Sequence, residues 1–167
     1  MISSKINGKE DIEILINNAG LAVFDDISNL SIEDWNDQIN INLTGSFLMT
    51  KMVVDNLKSR KKGTIVFINS VAGLHPYKNS TAYVASKYGL RGFSSSLREE
   101  LREYGIKVVS IYPGAVDTSL WDDMNMDNLR PDMMKVDDVA DIIVNAIHTS
   151  SNCVVEEIKI RRIAGDF

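Results

Sequence analysis

The stretch Thr64-Ile65-Val66-Phe67-Ile68 is a short, continuous run of apolar and β-branched residues that is bounded by turn residues. Such a run is typical of a parallel strand that is covered on both faces, because neither face then needs polar side chains. Two similar runs occupy residues 12–16 and 107–112. A fourth run, residues 154–160, mixes charged with apolar residues, which favours a strand at the edge of a sheet. The sequence therefore predicts about four strands.

Helical periodicity fills the chain between these predicted strands. Apolar residues recur there every three or four positions, as expected of helices that bury one face. The residues with this spacing are Ile39, Leu43, Phe47, Thr50, Val54 and Leu57, then Leu90, Phe93, Leu97, Leu101 and Tyr104 up to Gly105, and finally Val139, Ile143 and Ile147 after Asp137 and Asp138. Strands that alternate with helices predict one α/β domain over residues 1–167, with an open parallel sheet and right-handed crossovers.

Composition restricts the possible partners. The chain has 167 residues, 44% apolar and 25% charged, which is enough for one folded domain. Its net charge of -5 argues against a nucleic-acid or anionic-membrane partner. Cys153 is the sole cysteine, so it can form no internal disulfide, and no apolar run reaches membrane length. We therefore expect a cytoplasmic protein.

A tyrosine and a lysine, Tyr83 and Lys87, are four residues apart within a predicted helix. Side chains at this spacing share a helix face, so the ammonium group can lie beside the phenol and favour its ionised form. We therefore predict that Lys87 lowers the pKa of Tyr83 and that Tyr83 is a general acid/base. Taken alone, the pair would also fit an exposed surface pair.

Four further motifs accompany the Tyr83 and Lys87 pair, in a fixed order along the chain. Asn17-Asn18-Ala19-Gly20 ends the first strand, Asn42-Leu43-Thr44-Gly45 follows, Ser70 closes the second strand, and Pro113-Gly114-Ala115-Val116-Asp117-Thr118 follows the third. With these motifs the sequence strongly resembles the short-chain dehydrogenase/reductase family, from about residue 8 to the C-terminus. The resemblance implies a Rossmann-like sheet and an NAD- or NADP-dependent enzyme that interconverts the carbonyl and the secondary alcohol of a small-molecule substrate.

The resemblance implies a role for each of four residues. Tyr83 exchanges a proton with the substrate oxygen, and Ser70 hydrogen-bonds the same oxygen. Lys87 holds the nicotinamide ribose, and Asn42 fixes a water that links Lys87 to solvent. Without the resemblance, Ser70 would be read as a strand-end turn residue and Asn42 as a polar residue bonded to backbone.

The resemblance also implies cofactor contacts, and it implies no metal. His75 and His148 lack carboxylate or cysteine companions at ligand spacing, so we expect neither to bind a metal ion. The implied cofactor-binding residues are Asn18, Ala19, Gly20, Tyr83, Lys87, Pro113, Gly114, Val116 and Thr118.

One feature of the family is absent from the sequence. No glycine-rich phosphate-binding turn occurs, and the alignment predicts that two β-α units or more, about 60 to 80 residues, are missing before residue 1. The chain alone is therefore expected to bind a dinucleotide weakly. A non-catalytic remnant or interaction protein is the alternative function. We also expect the strand at residues 12–16 to become a sheet edge and to favour self-association, in addition to the homo-oligomers common in the family.

The stretch after Thr118 is rich in methionine. Residues 119–134 hold four of the seven methionines. Flexible thioethers suit a surface that packs around varied apolar groups, and the resemblance implies a substrate-covering segment here. A short amphipathic helix packed on the core is the other interpretation, and the two are compatible.

Overall fold

A parallel four-stranded sheet forms the centre of the protein. The computed structural model describes residues 12–122, 124 and 127–165. Its strands are β1 (Ile14–Asn17), β2 (Gly63–Ile68), β3 (Ile106–Pro113) and β4 (Glu157–Ile160), and they lie side by side in that order. The predicted open parallel α/β sheet is thus confirmed, with β4 at one edge.

The described residues form four α-helices. They are α1 (Ile32–Ile39), α2 (Gly45–Arg60), α3 (Thr81–Arg102) and α4 (Val136–Ile147). Helices α2 and α3 pack on one face, where Leu57 and Leu101 are fully buried with Phe67 of β2. Helix α4 packs on the opposite face, where Ala146 belongs to the same buried apolar cluster as Val109 of β3. Because side chains alternate along each strand, the two faces carry separate apolar clusters.

The first predicted helix, which begins at Ile39, is π-helical at its start and is preceded by a helix, α1, that the apolar spacing did not predict. Helix α1 begins after Ser31, whose hydroxyl accepts a hydrogen bond from the Asp34 amide, as a helix N-cap does. The chain then runs through a π-helical segment, Asn40–Thr44, before α2 begins. Asn42 lies within this wider turn and is fully buried.

Strand β1 is the other edge of the sheet. Within the described residues it pairs with β2 alone, in a register that places Ile14 opposite Thr64. Leu15 packs against the core, whereas Ile14 and Ile16 remain 45% and 48% exposed on the other face. The predicted edge is thus present, and self-association through it stays a prediction.

Candidate active site at the carboxyl ends of the strands

The predicted motifs meet at one rim because parallel strands end on the same side of a sheet. The exposed turn of residues 18–20 follows β1, and Ser70 lies two residues after β2. Pro113 ends β3, where it lies opposite Ile160 in β4. We predicted that the third strand ends before Pro113, but Pro113 belongs to β3, and its neighbour Gly114 donates its amide to Ile160 O at 2.8 Å.

Asn42 binds the chain that follows this first turn. Its Oδ1 accepts from Leu21 N at 2.7 Å, and its Nδ2 donates to Leu21 O at 2.8 Å and to Ser86 Oγ at 2.9 Å. Both amide hydrogens are therefore used, and one lone pair of Oδ1 remains available. A Cβ placed on Gly20 would lie 3.6 Å from Asn42 Oδ1 and 3.8 Å from Lys87 Nζ. The side chain of Asn42 and the lysine ammonium thus lie at the same point of the rim.

Ser70 is held by Asn69, which is buried. Asn69 Oδ1 accepts from Ser70 N at 2.9 Å, and Asn69 Nδ2 donates to Lys87 O at 3.2 Å. Gly73 allows this close approach, because a Cβ there would lie 2.7 Å from Asn69 Oδ1 and 2.9 Å from Lys87 O. Ser70 Oγ accepts from Ala72 N at 3.1 Å, which leaves the hydroxyl hydrogen free to donate elsewhere. Asn69 thereby ties the serine to helix α3.

Tyr83 lies in the first turn of α3, is 9% exposed and hydrogen-bonds Ser70 through its side chain. Burial raises the pKa of Tyr83, and the hydrogen bond with Ser70 offsets this effect in part. We predicted that Lys87 lowers this pKa, but the net shift of the pKa is upward, because burial is its largest cause. Lys87 Nζ lies over the tyrosine ring, 5.6 Å from its centroid, and donates to Ile68 O at 3.3 Å.

Lys87 is buried without a carboxylate partner in the part of the chain that the structure describes. It is 4% exposed, and burial lowers its pKa from 10.5 to about 8. The cause is loss of hydration around the ammonium group. An ammonium group has three N–H donors, and Ile68 O accepts from one of them. Lys87 therefore retains the capacity to donate to a ligand at the rim.

The chain after β3 folds back on itself. Asp117 N donates to Met134 O, and Met134 N donates to Ala115 O, each at 3.0 Å. Thr118 Oγ1 accepts from Leu120 N at 3.4 Å and begins a short 3₁₀ helix, Ser119–Trp121. Val116 O accepts from Trp121 Nε1 at 2.9 Å. Val116 and Thr118 thus position the turn that follows them, and their cofactor contacts stay a prediction.

Residues 118–122, which we name the covering turn, pack beside Tyr83. Leu120 and Met124 lie in the same apolar cluster as Tyr83. Phe24 stands edge-on to the tyrosine ring at a centroid distance of 5.6 Å, and Trp121 lies tilted against Phe24 at 6.3 Å. The stretch contains short 3₁₀ helices that pack beside Tyr83, and its substrate-covering role stays a prediction. The predicted residues Asp123, Asn125 and Met126 lie outside the described residues.

Sequence reasoning missed several residues of this site. Asn69 and Ser86 directly precede Ser70 and Lys87, so their position beside the motif residues was the available signal. Ser86 is fully buried, donates to Tyr83 O at 2.7 Å and accepts from Asn42. Phe24 carried no signal, because its contact with Tyr83 joins residues far apart in the chain. Gln38 is likewise fully buried, and its Oε1 accepts from Val23 N at 3.0 Å.

The residues at the rim fit a nicotinamide nucleotide. Gly20 has no side chain to cover Lys87 Nζ, and the adjacent turn residues Asn18 and Ala19 are exposed. A buried ammonium with unused donors suits hydroxyl groups such as those of a ribose.

Among the described residues, no group of three or more His, Cys, Asp or Glu could hold a metal ion. A search of the same residues found no helix that is long and apolar enough to span a membrane.

Comparisons with known proteins agree with this geometry. The family model for short chain dehydrogenase matches residues 2–129. Sepiapterin reductase of Chlorobaculum tepidum is 36% identical over 93% of this chain and 63% of its own length. The NADP-dependent 3-hydroxy acid dehydrogenase of Schizosaccharomyces pombe is 32% identical over 88% of this chain and 60% of its own length.

The fold agrees as well. The crystal structure of serine dehydrogenase from Escherichia coli superposes with a TM-score of 0.87 at 26% identity, covering 99% of this chain and 72% of that one. Of the two curated relatives described above, the chain spans 63% and 60% of the length, which is less than two thirds in each case. With the family model matched over residues 2–129 and the sheet shared with solved members, the chain belongs to the short-chain dehydrogenase family.

Proposed function

We propose that this protein is an NAD(P)-dependent oxidoreductase that interconverts a carbonyl and a secondary alcohol, with Tyr83 as the general acid/base. The observation that carries the proposal is the buried hydrogen bond between Tyr83 and Ser70, one helical turn from the buried Lys87. Buried titratable groups with shifted pKa values that share a cleft are typical of catalytic sites.

The direction of the pKa shift supports proton donation. Because burial raises the pKa of Tyr83, the phenol keeps its proton at neutral pH and can donate it to a carbonyl oxygen. The Ser70 hydroxyl accepts from Ala72 N and can donate its own hydrogen to the same oxygen. Two O–H donors aimed at one oxygen would stabilise the negative charge that develops there during reduction.

Lys87 and Asn42 would support this step. Lys87, whose pKa is about 8, is mostly protonated at neutral pH and can hold ribose hydroxyls or return a proton to Tyr83. Asn42 keeps Leu21 and Ser86 in place and has one free lone pair on Oδ1, which would accept from a water beside Lys87. The water-fixing role stays a prediction.

A nicotinamide cofactor would bind along the rim. The relative from Schizosaccharomyces pombe is NADP-dependent by name, which supports NADP as the first cofactor to test, with NAD second. When bound, the cofactor supplies or accepts the hydride. The residues proposed to hold it are Asn18, Ala19, Gly20, Tyr83, Lys87, Pro113, Gly114, Val116 and Thr118.

The substrate would be a small molecule with an apolar body. Phe24, Leu120 and Trp121 place apolar surface beside Tyr83, where the body of a carbonyl compound would lie. Sepiapterin and 3-hydroxy acids are the first compounds to test, because two relatives carry these names. The cytoplasmic location and the homo-oligomer stay predictions.

Tyr83→Phe tests the proposal most directly. The substitution removes the phenolic O–H, so we expect kcat to fall about 10²-fold to 10⁴-fold relative to the unsubstituted protein, with NADPH binding close to unchanged. Tyr88→Phe is the matched control, since Tyr88 lies on the same helix and is 41% exposed. Steady-state NADPH oxidation and fluorescence titration supply the two measurements.

Two results would contradict the proposal. If Tyr83→Phe kept even about a tenth of kcat, Tyr83 would not be the general acid. If the folded, unsubstituted protein neither bound NADPH or NADH nor reduced any test carbonyl, the alternative function, a non-catalytic remnant or interaction protein, would be favoured instead.

A further inference from the structure

Arg130 binds both ends of the covering turn. Its Nη1 donates to Asp117 Oδ1 at 2.8 Å, directly before the turn, and its Nη2 donates to Asp122 Oδ1 at 2.5 Å, at the end of the turn. Nη1 also lies 3.5 Å from Thr118 O, inside the turn. One planar guanidinium therefore contacts two carboxylates and one carbonyl of the same short stretch.

The turn that Arg130 holds is the one that contacts the site. Between Asp117 and Asp122 lie Leu120, which packs with Tyr83, and Trp121, which lies against Phe24. Backbone hydrogen bonds to Met134 fix the base of this turn, and Trp121 Nε1 donates to Val116 O at 2.9 Å. The side chain of Asp122, at the far end, is joined to Asp117 at the base through Arg130.

The charge balance makes this arrangement different from an ordinary surface ion pair. A third carboxylate, that of Asp127, lies 3.3 Å from Arg130 Nε, so three anions surround one cation. Nε itself is buried and forms no hydrogen bond within the described residues. Without the guanidinium, the carboxylates of Asp117 and Asp122 would repel each other across the turn. Loss of Arg130 would thus push the turn open as well as release it.

We propose that Arg130 is a positioning residue that keeps Trp121 and Leu120 against the active site by clamping both ends of the covering turn. The inference rests on the proposed function, because the cover matters for catalysis only if Tyr83 transfers the proton. Arg130 itself has no contact with the reacting atoms in this scheme. Its effect on the reaction would pass through the covering turn.

The test measures the exposure of Trp121 directly. The chain has two tryptophans, so all variants carry Trp35→Phe to leave Trp121 as the single fluorophore. We expect Arg130→Met to raise acrylamide quenching of Trp121 at least about threefold, as loss of several ion pairs should. Arg130→Lys keeps the positive charge but lacks the planar guanidinium, so it should restore part of the protection of Trp121 from acrylamide.

Arg102→Met is the matched control. Arg102 also bridges two carboxylates, Glu99 at 2.8 Å and Glu156 at 3.1 Å, but it lies at the end of α3 away from the rim. It should leave the quenching of Trp121 unchanged. In kinetics, Arg130→Met should raise KM for the carbonyl substrate at least about threefold while KM for NADPH stays the same.

The quenching experiment needs no activity, so it separates this inference from the proposed function. Unchanged quenching in a folded Arg130→Met variant would overturn the inference, even if the enzyme proved active. If Arg130→Met did not fold, Asp122→Asn would take its place, because it removes one arm of the clamp. Higher quenching in Asp122→Asn would support the clamp, and unchanged quenching would overturn it.

Discussion

Helix α3 buries two cations, Lys87 and Arg98, about three turns apart. Arg98 is 8% exposed and well bonded: Nε donates to Val108 O at 3.1 Å, and Nη2 donates to Glu156 O at 3.0 Å and Ser110 Oγ at 3.4 Å. Arg98 Nη1 also lies 3.9 Å from the carboxylate of Glu157. The guanidinium therefore joins α3 to β3 and β4.

Lys87 is buried at least as deeply but has far fewer partners. Within the described residues its ammonium donates to one backbone oxygen, Ile68 O, and no carboxylate lies near it. The protein thus pays a desolvation penalty at Lys87 that it avoids at Arg98. Burial of a cation therefore does not by itself indicate a functional site, and the proposal for Lys87 rests on its unused hydrogen-bonding capacity at the rim.

Exchanging each cation for methionine should separate the two roles, and this is the largest effect we expect. Lys87→Met should lower kcat/KM about 100-fold or more while the folded state persists, because in the proposed function Lys87 holds the cofactor and returns a proton to Tyr83. Arg98→Met should lower the free energy of unfolding by about 2 to 4 kcal/mol, because it leaves buried acceptors unpaired. Urea denaturation and NADPH oxidation measure these two quantities.

The same two variants can also contradict the proposed difference between Lys87 and Arg98. Activity per folded molecule should stay within about twofold of the parent in Arg98→Met, since Arg98 lies away from the rim. A folded Arg98→Met variant that lost as much activity as Lys87→Met would show that the two cations are not functionally distinct.

The pH dependence of stability tests the desolvation penalty at Lys87, with a smaller expected effect. Burial holds the pKa of Lys87 at about 8, against an ordinary value of 10.5. Below pH 8 the lysine is charged in both states, so the folded state carries the full penalty. At higher pH the folded state loses the proton first, the unfolded state binds more protons, and stability rises.

We expect the free energy of unfolding to rise by about 2 kcal/mol from about pH 7.5 to about pH 9.5, relative to Lys87→Met. Tyr83, whose pKa is raised by burial, opposes this trend only above its ordinary value of 10. Denaturant midpoints of both proteins across this range provide the measurement. Parallel curves would mean that Lys87 is not desolvated.

A matched pair of serines offers the smallest effect. Ser86 and Ser94 are both fully buried on α3, and each donates to the carbonyl three residues earlier. Ser86 accepts from Asn42 at the site, and Ser94 accepts from Ser110 beside Arg98. Replacing either by alanine should destabilise the protein by about 1 kcal/mol. Only Ser86→Ala should also lower kcat, and a similar loss in Ser94→Ala would erase the distinction.

Much of the fold was predictable because its signals are local. The runs at residues 12–16, 64–68 and 107–112 became β1, β2 and β3, since continuous β-branched segments suit a sheet that is covered on both faces. The fourth strand is shorter than predicted, Glu157–Ile160, because residues 154 and 155 pack under α4 instead of extending the pairing with β3. The strand-helix alternation then placed Ser70 and Pro113 on one rim.

The π-helical segment was not predictable from the apolar spacing. Ile39, Leu43 and Leu57 follow one helical pattern, yet the chain widens at Asn40–Thr44 so that Asn42 can reach Leu21 and Ser86. These contacts join residues 21 and 44 positions apart. A local pattern carries no information about partners at such separations.

The sequence by itself determined the sheet, its order of elements and the residue types that gather at its rim, because hydrophobic periodicity and parallel topology suffice for these. Only the tertiary structure decided the electrostatics of the site. The pKa of Tyr83 rises and that of Lys87 falls because Phe24 and the covering turn pack beside Tyr83 and the core surrounds Lys87. Desolvation depends on which distant segments exclude water, and a spacing of four residues along a helix cannot specify that.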